Sequence, residues 1–181
     1  MPKIGLIVPS ARPNRIGGRV AEWVAGVVGQ DWDVDVIDLA ELNLPYFNEP
    51  ISPKQQKPRS TDHAKTWGAR VDGLDALVVI TPEYNGSYPG ALKNAIDYLY
   101  AELNELPTAV VGYGWGGGQG AIDATVTLLS RLQANVIGEV PLFFRTDLDT
   151  EGNLFVTDER REQLSQLGEQ LRSSAVATAA A

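Results

Sequence analysis

Three loops hold the residues of this chain that are able to do chemistry. Residues 10–18 read Ser-Ala-Arg-Pro-Asn-Arg-Ile-Gly-Gly. Ser10 and Asn14 offer neutral donors, and Arg12 and Arg15 offer charged, fork-shaped ones. Ile16 and Gly17 lead into a helical pattern. A helix start presents unpaired N–H groups and the positive end of its dipole, so this set suits a phosphate. The same residues equally suit a helix cap with solvated arginines. Residues 81–90 read Thr-Pro-Glu-Tyr-Asn-Gly-Ser-Tyr-Pro-Gly. Pro82 and Pro89 stiffen this loop, and Gly86 and Gly90 let backbone pass close to a flat ligand. Tyr84 suits a pocket wall. Residues 113–120 hold five glycines in eight positions, a density that permits close approach to a ring edge but also describes a flexible turn.

Other chemistry is excluded by what the chain lacks. There is no cysteine, so disulfides, thiolate nucleophiles, zinc–thiolate sites and iron–sulfur clusters are ruled out. His63 is the sole histidine, and no G-x-S-x-G pattern is present. His63 reads as an ordinary histidine in the first turn of a helix. No side chain is therefore assigned as an obligatory acid, base or nucleophile, and any redox chemistry must come from a bound cofactor. The acids Asp147, Asp149 and Glu151 before Gly152 mimic a calcium loop, but the residues before them read as strand. They are read as a polar turn, with no metal site. A net charge of −8 argues against a nucleic-acid partner. No apolar run has transmembrane length and no secretory signal is visible, so the expectation is a cytoplasmic protein without membrane insertion.

The elements that must position these loops follow from periodicity. Residues 4–8 and 76–80 are continuous apolar runs, the mark of strands covered on both faces. Residues 33–38 alternate polar and apolar, the mark of a sheet margin. Further strands are expected over 108–112 and 136–144. Helices are expected over 19–28, 62–72, 91–103, 121–132 and from 158 to about 171. Residues 46–60, with Pro50, Pro53 and Pro58, read as a long loop. Alternating strands and helices predict an α/β fold, a five-stranded parallel sheet in the flavodoxin-like order 2-1-3-4-5. The domain is expected over residues 1–172, with a frayed tail at 173–181. Strands one, three and four are neighbours in that order, so the three loops converge on one crevice.

Residues 82–97, Pro-Glu-Tyr-Asn-Gly-Ser-Tyr-Pro-Gly-Ala-Leu-Lys-Asn-Ala-Ile-Asp, closely resemble the signature P-E-Y-N-x-S-x-P-G-x-L-K-N-A-I-D of the NADPH-dependent FMN reductase family. Ser10, Arg12 and Arg15 match that family's phosphate loop, although Pro9 stands where a glycine is usual and Arg15 where a second serine is often found. The resemblance implies an NAD(P)H oxidoreductase with FMN as cofactor and NADPH or NADH as hydride donor. It implies quinone, azo, nitroaromatic, metal-oxyanion or free flavin acceptors. By the same resemblance FMN is held by Ser10, Arg12, Asn14, Arg15, Ile16 and Gly17 at the phosphate. Pro82, Glu83, Tyr84 and Asn85 lie at the ring, with Gly114, Gly116 and Gly117 on its far side. It makes Glu83 structural rather than an acid–base catalyst. A homodimer or homotetramer is implied, with contact surfaces expected on residues 91–103, with Tyr98 and Tyr100, and on 46–60. The alternatives are a flavodoxin-type FMN electron carrier with a protein partner, and a flavin-free domain that keeps the fold.

Overall fold

The computed structural model describes residues 1–179. Its elements alternate: β1 (Lys3–Val8), α1 (Gly17–Val28), β2 (Asp33–Asp38), α2 (Leu39–Leu42), α3 (Asp62–Asp72), β3 (Ala76–Pro82), α4 (Gly90–Asp97), β4 (Pro107–Gly114), α5 (Gln119–Arg131), β5 (Asn135–Phe143) and α6 (Asp158–Ala179). The strands form one parallel sheet in the order β2-β1-β3-β4-β5, as the pattern predicts. β3 and β4 are buried throughout, whereas β2 at the margin leaves Val36 exposed. Helices α1 and α6 cover one face, packing on Leu6, Val78 and Val111. Helices α3, α4 and α5 cover the other, on Ile7, Val79 and Val110. Between β4 and β5 the register slips once: Thr108 pairs with Val136 and Ala109 with Gly138, which leaves Ile137 as an extra residue.

Three elements differ from the sequence reading. The helix expected over 91–103 ends at Asp97, and a short 3₁₀ turn (Ala101–Leu103) follows after Tyr100, whose φ of −156° is extended rather than helical. Leu99 and Leu103 are still buried, so the apolar spacing is satisfied by a broken path. The tail expected from 173 is instead the last two turns of α6 as far as Ala179. Ala175 is buried there, and alanine-rich sequence costs little to hold helical. Residues 180–181 of that predicted tail lie outside the described residues. The four-residue helix α2 is not among the helices the spacing predicts; Asp38 caps it by accepting from Ala40 N–H at 2.9 Å.

The 46–60 loop is tied down rather than free. The Tyr98 ring is fully buried, and its hydroxyl lies within 3.3 Å of the Pro45 and Tyr46 carbonyls, the Asn48 side chain and His63 Nε2. Asn94 donates to the Pro45 carbonyl and accepts from Phe47 N–H. His63 is thus half-buried in a polar clasp, not an ordinary surface residue, and Tyr98 is spent inside the subunit rather than offered to a partner. At the far end, Glu49 accepts from the N–H and hydroxyl groups of Ser60 and Thr61. Those bonds, led by Ser60 N–H and the Thr61 hydroxyl, hold its carboxyl down at about 2 from an ordinary 4.5. A depressed folded pKa stabilises above the unfolded value and is lost as pH falls toward the folded one. The clasp is therefore whole above about pH 4.5 and loosens from there down to about pH 2. Protection of the amides of residues 45–61, taken against their intrinsic exchange at each pH, is expected to fall as pH drops across that window, and Glu49→Gln to be poorly protected at every pH. An unchanged exchange profile in the variant would refute this role for Glu49.

Candidate functional site

β1, β3 and β4 all end at the same edge of the sheet, and their three loops meet there. They line a cleft of about 480 Å³ bounded by Ser10, Arg12, Asn14, Arg15, Ile16, Pro82, Glu83, Tyr84, Tyr113, Gly114, Trp115, Gly116, Phe144 and Thr150. That volume suits a cofactor-sized ligand. Ten of the thirteen residues expected at the site line this cleft. Gly17, Asn85 and Gly117 do not. Gly17 is buried under the first loop, where an added Cβ would meet Val8 at 2.7 Å and the Tyr113 hydroxyl at 3.1 Å. Asn85 occupies the tip of a tight turn with Gly86, at φ +52° and +76°, where Tyr84 and Ser87 exchange backbone hydrogen bonds. Gly117 turns away from the cleft, toward Pro141 and Phe143.

The two arginines of the first loop and Arg19 in the first turn of α1 have different duties. Arg15 donates through Nε and Nη2 to Asp38, at 3.2 and 2.7 Å, and bridges the loop to the end of β2. Hydrogen bonding to Asp38, then its charge, raises the Arg15 pKa further. Arg19 donates to the Asn153 side chain at 3.1 Å. Arg12 is exposed on the cleft wall and, among the described residues, meets no acceptor. The N–H groups of Gly17 and Gly18 open α1 and have no intrahelical partner. Arg12 and this helix start make a local positive site in an acidic chain.

Under the loops the polar groups are closely matched. Ser10 is 2% exposed, and its hydroxyl shares a 2.8 Å hydrogen bond with the Tyr84 hydroxyl, which joins the first loop to the second across 74 residues. The Tyr113 hydroxyl is buried without a hydrogen-bond partner among the described residues. Burial, then the neighbouring Tyr84, pushes its pKa well up, so it stays protonated with a donor to spare. Glu83 accepts from Gly120 N–H at 2.8 Å and so caps the first turn of α5. This bond joins the second loop to the third, and sequence reasoning had no signal for it. Lys93 pairs with Asp97 one turn on, away from the loops. The turn after β5 is held by Asp149, which accepts from Glu151 N–H, Asn153 N–H and the Asn153 amide. It is a polar turn, and no metal-holding group of acids occurs among the described residues.

Glu83→Ala is expected to lower thermal stability by about 1 kcal/mol, the usual worth of a capping acceptor. Glu83→Gln keeps an acceptor and is expected to restore most of that loss in thermal unfolding. A Gln variant as unstable as the Ala one would overturn the capping role.

Comparisons with known proteins agree with this geometry. Residues 2–148 match the family model of the NADPH-dependent FMN reductases. An NAD(P)H-dependent FMN reductase from Saccharomyces cerevisiae is 35% identical over 150 residues, covering 76% of this chain and 78% of that one. One from Nectria sp. is 37% identical over 128 residues, covering 67% of this chain but only 64% of that relative's own length. Among solved structures, a flavoenzyme NAD(P)H:(acceptor) oxidoreductase from Paracoccus denitrificans has a TM-score of 0.71 and covers 96% of this chain and 99% of that one. At 21% identity, that likeness speaks for the fold.

Proposed function

The chain belongs to the NADPH-dependent FMN reductase family, and we propose that it is an FMN-dependent oxidoreductase drawing on NADPH or NADH to reduce small-molecule acceptors such as quinones and azo compounds. The observation that carries this reading is the convergence of three loops on one cleft with a partnerless arginine at a helix start. Arg12, Ser10, Asn14 and the N–H groups of the α1 start would hold the phosphate. Pro82, Glu83, Tyr84, Gly114 and Gly116 would border the ring. The donor set fits: a charged fork and free N–H groups for a dianion, and backbone at glycine for a flat, polar ring edge. When bound, FMN supplies the exchange of a hydride with the nicotinamide and of electrons with the acceptor.

The chain's own residues bind and orient. The Ser10–Tyr84 bond fixes the second loop against the first, and the Arg15–Asp38 pair braces the first loop on β2. The cleft stays open to solvent at Trp115 and Thr150, as an enzyme with exchanging substrates requires. The working form is a homodimer or homotetramer in the cytoplasm, with exposed Tyr46, Phe47 and Ile51 on its contact surface. A monomeric mass in solution would remove that part.

The test is an absorption spectrum of dialysed protein reconstituted with FMN, repeated anaerobically after NADPH is added. Retained yellow flavin that bleaches quickly is expected. Flavin that is retained but stays oxidised would favour an electron carrier that meets a protein partner. No retained flavin would overturn the site.

A further inference from the structure

The lip of the cleft holds a group of side chains outside the set proposed to hold the cofactor. Trp115 lines the cleft and is 63% exposed. Phe144, also on the cleft wall, meets it edge to face at 5.2 Å and 67°. The Arg145 guanidinium lies 5.0 Å from the centre of the Trp115 ring. A cation at that distance is drawn to the negative ring face. Arg145 itself is held at φ +74°, a region that non-glycine residues rarely enter. Its N–H bonds to the Leu148 carbonyl at 2.8 Å, fixing the strained position.

Charge makes this group unusual. The chain carries −8, yet among the described residues the Arg145 side chain has neither a carboxylate partner nor a hydrogen-bond acceptor. Its one companion is an exposed indole. Arg12 is the partnerless arginine that lines the cleft, and the proposed phosphate would occupy it, whereas Arg145 lies behind Trp115 at its rim. Arg145 remains as a cation beside the mouth where a second molecule must enter.

We propose that Trp115, Phe144 and Arg145 form a subsite selective for planar aromatic electron acceptors that carry a negative charge, such as ionised hydroxyquinones and sulfonated or carboxylated azo compounds. The rings of Trp115 and Phe144 pack the acceptor's plane, and Arg145 takes its charge. A field of −8 repels such anions at long range, so a fixed cation at the entrance is what admits them. The inference rests on the reductase reading for turnover, but not for binding.

The test uses FMN-loaded protein and two quinones of similar shape. At pH 7.5, 2-hydroxy-1,4-naphthoquinone is an anion, and 2-methoxy-1,4-naphthoquinone is neutral. Binding is measured by equilibrium dialysis without NADPH, and KM for each quinone and for NADPH by steady-state oxidation. Arg145→Gln is expected to raise Kd and KM for the anionic quinone about tenfold, the scale of one charge-assisted contact. The neutral quinone, NADPH and FMN are expected to shift less than about twofold, since none relies on that charge. Trp115→Ala is expected to weaken both quinones by about fivefold, through lost stacking.

Equal losses for the two quinones in Arg145→Gln would overturn the charge selectivity. A rise confined to KM for NADPH would assign the cation to the donor's phosphates instead. A change of oligomeric mass in Trp115→Ala, with quinone binding intact, would make the patch a subunit contact. If the wild type binds the quinones selectively but does not oxidise NADPH, the reductase reading fails while the subsite stands.

Discussion

Replacing Gly118 with valine is expected to destabilise the flavin-free protein by roughly 2–5 kcal/mol, combining left-handed backbone strain with overpacking. Gly118 stands before α5 at φ +73° and ψ +23°. A Cβ there would lie 2.6 Å from Tyr113 N and 2.9 Å from Gly112 C. Both are backbone atoms of β4, a strand buried along its whole length, so neither can retreat. A typical domain has only about 5–15 kcal/mol of stability in total, so the variant sits near the threshold of folding. Gly116 in the same loop is the control. Its added Cβ would meet nothing within 4 Å and its φ is not positive, so Gly116→Ala is expected to be nearly neutral. Urea unfolding of both variants checks the pair. A Gly118→Val protein within about 1 kcal/mol of wild type would mean that the backbone of the loop yields far more readily than its packing implies.

Replacing Arg12 with alanine is expected to weaken FMN binding by about ten- to a hundredfold, corresponding to roughly 1.5–3 kcal/mol for a hydrogen bond to a charged group. Arg12 has no protein partner to lose, so the melting temperature of the flavin-free protein should hardly move. Arg15→Ala should behave differently. Its guanidinium is committed to Asp38, so the loss falls first on the bracing of the loop. A partly exposed pair of this kind is worth about 0–1 kcal/mol. Asp38→Asn should reproduce that loss, although it leaves both arginines in place. Equilibrium dialysis with FMN, beside thermal unfolding without it, separates the two duties. Equal FMN losses in Arg12→Ala and Arg15→Ala, with unchanged stability in both, would make the arginines joint phosphate ligands.

The sheet was legible because its signals are local. The unbroken apolar run 76–80 marks a strand covered on both faces, and the alternation of 33–38 marks a margin; both proved so. Helix α3 was bounded correctly, with Asp62 in its first turn and Gly73 just past its end. The three cleft loops were legible as glycine, proline and arginine clusters at strand ends. What escaped were pairings between residues far apart in the chain. Ser10 with Tyr84, Arg15 with Asp38 and Glu83 with Gly120 each join two segments whose separate sequences are indifferent to the contact. The break in α4 escaped because Leu99 and Leu103 keep helical spacing while the backbone does not. Taken singly, His63 reads as an ordinary first-turn histidine and Tyr98 as a contact tyrosine. Only the folded chain shows that they share one clasp around the 46–60 loop.

The extra residue in β5 bears on which changes of chain length this fold can absorb. Ile137 bulges between Val136 and Gly138, and Ile137 and Gly138 both turn toward the layer that holds α6. Loss of Ile137 would leave Gly138 opposite Ala109 and every later partner in place, down to Phe143 opposite Gly114. Loss of Gly138 would be absorbed likewise, with Ile137 opposite Ala109 on the same face, whereas loss of Glu139 would reverse the faces that follow, taking Val140 and Leu142 out of the core and moving Phe144 from beside Trp115. Length variants of this strand are thus expected to survive at the bulge, at Ile137 or Gly138, and natural or engineered deletions that reach the cleft should be found there and not further along the strand.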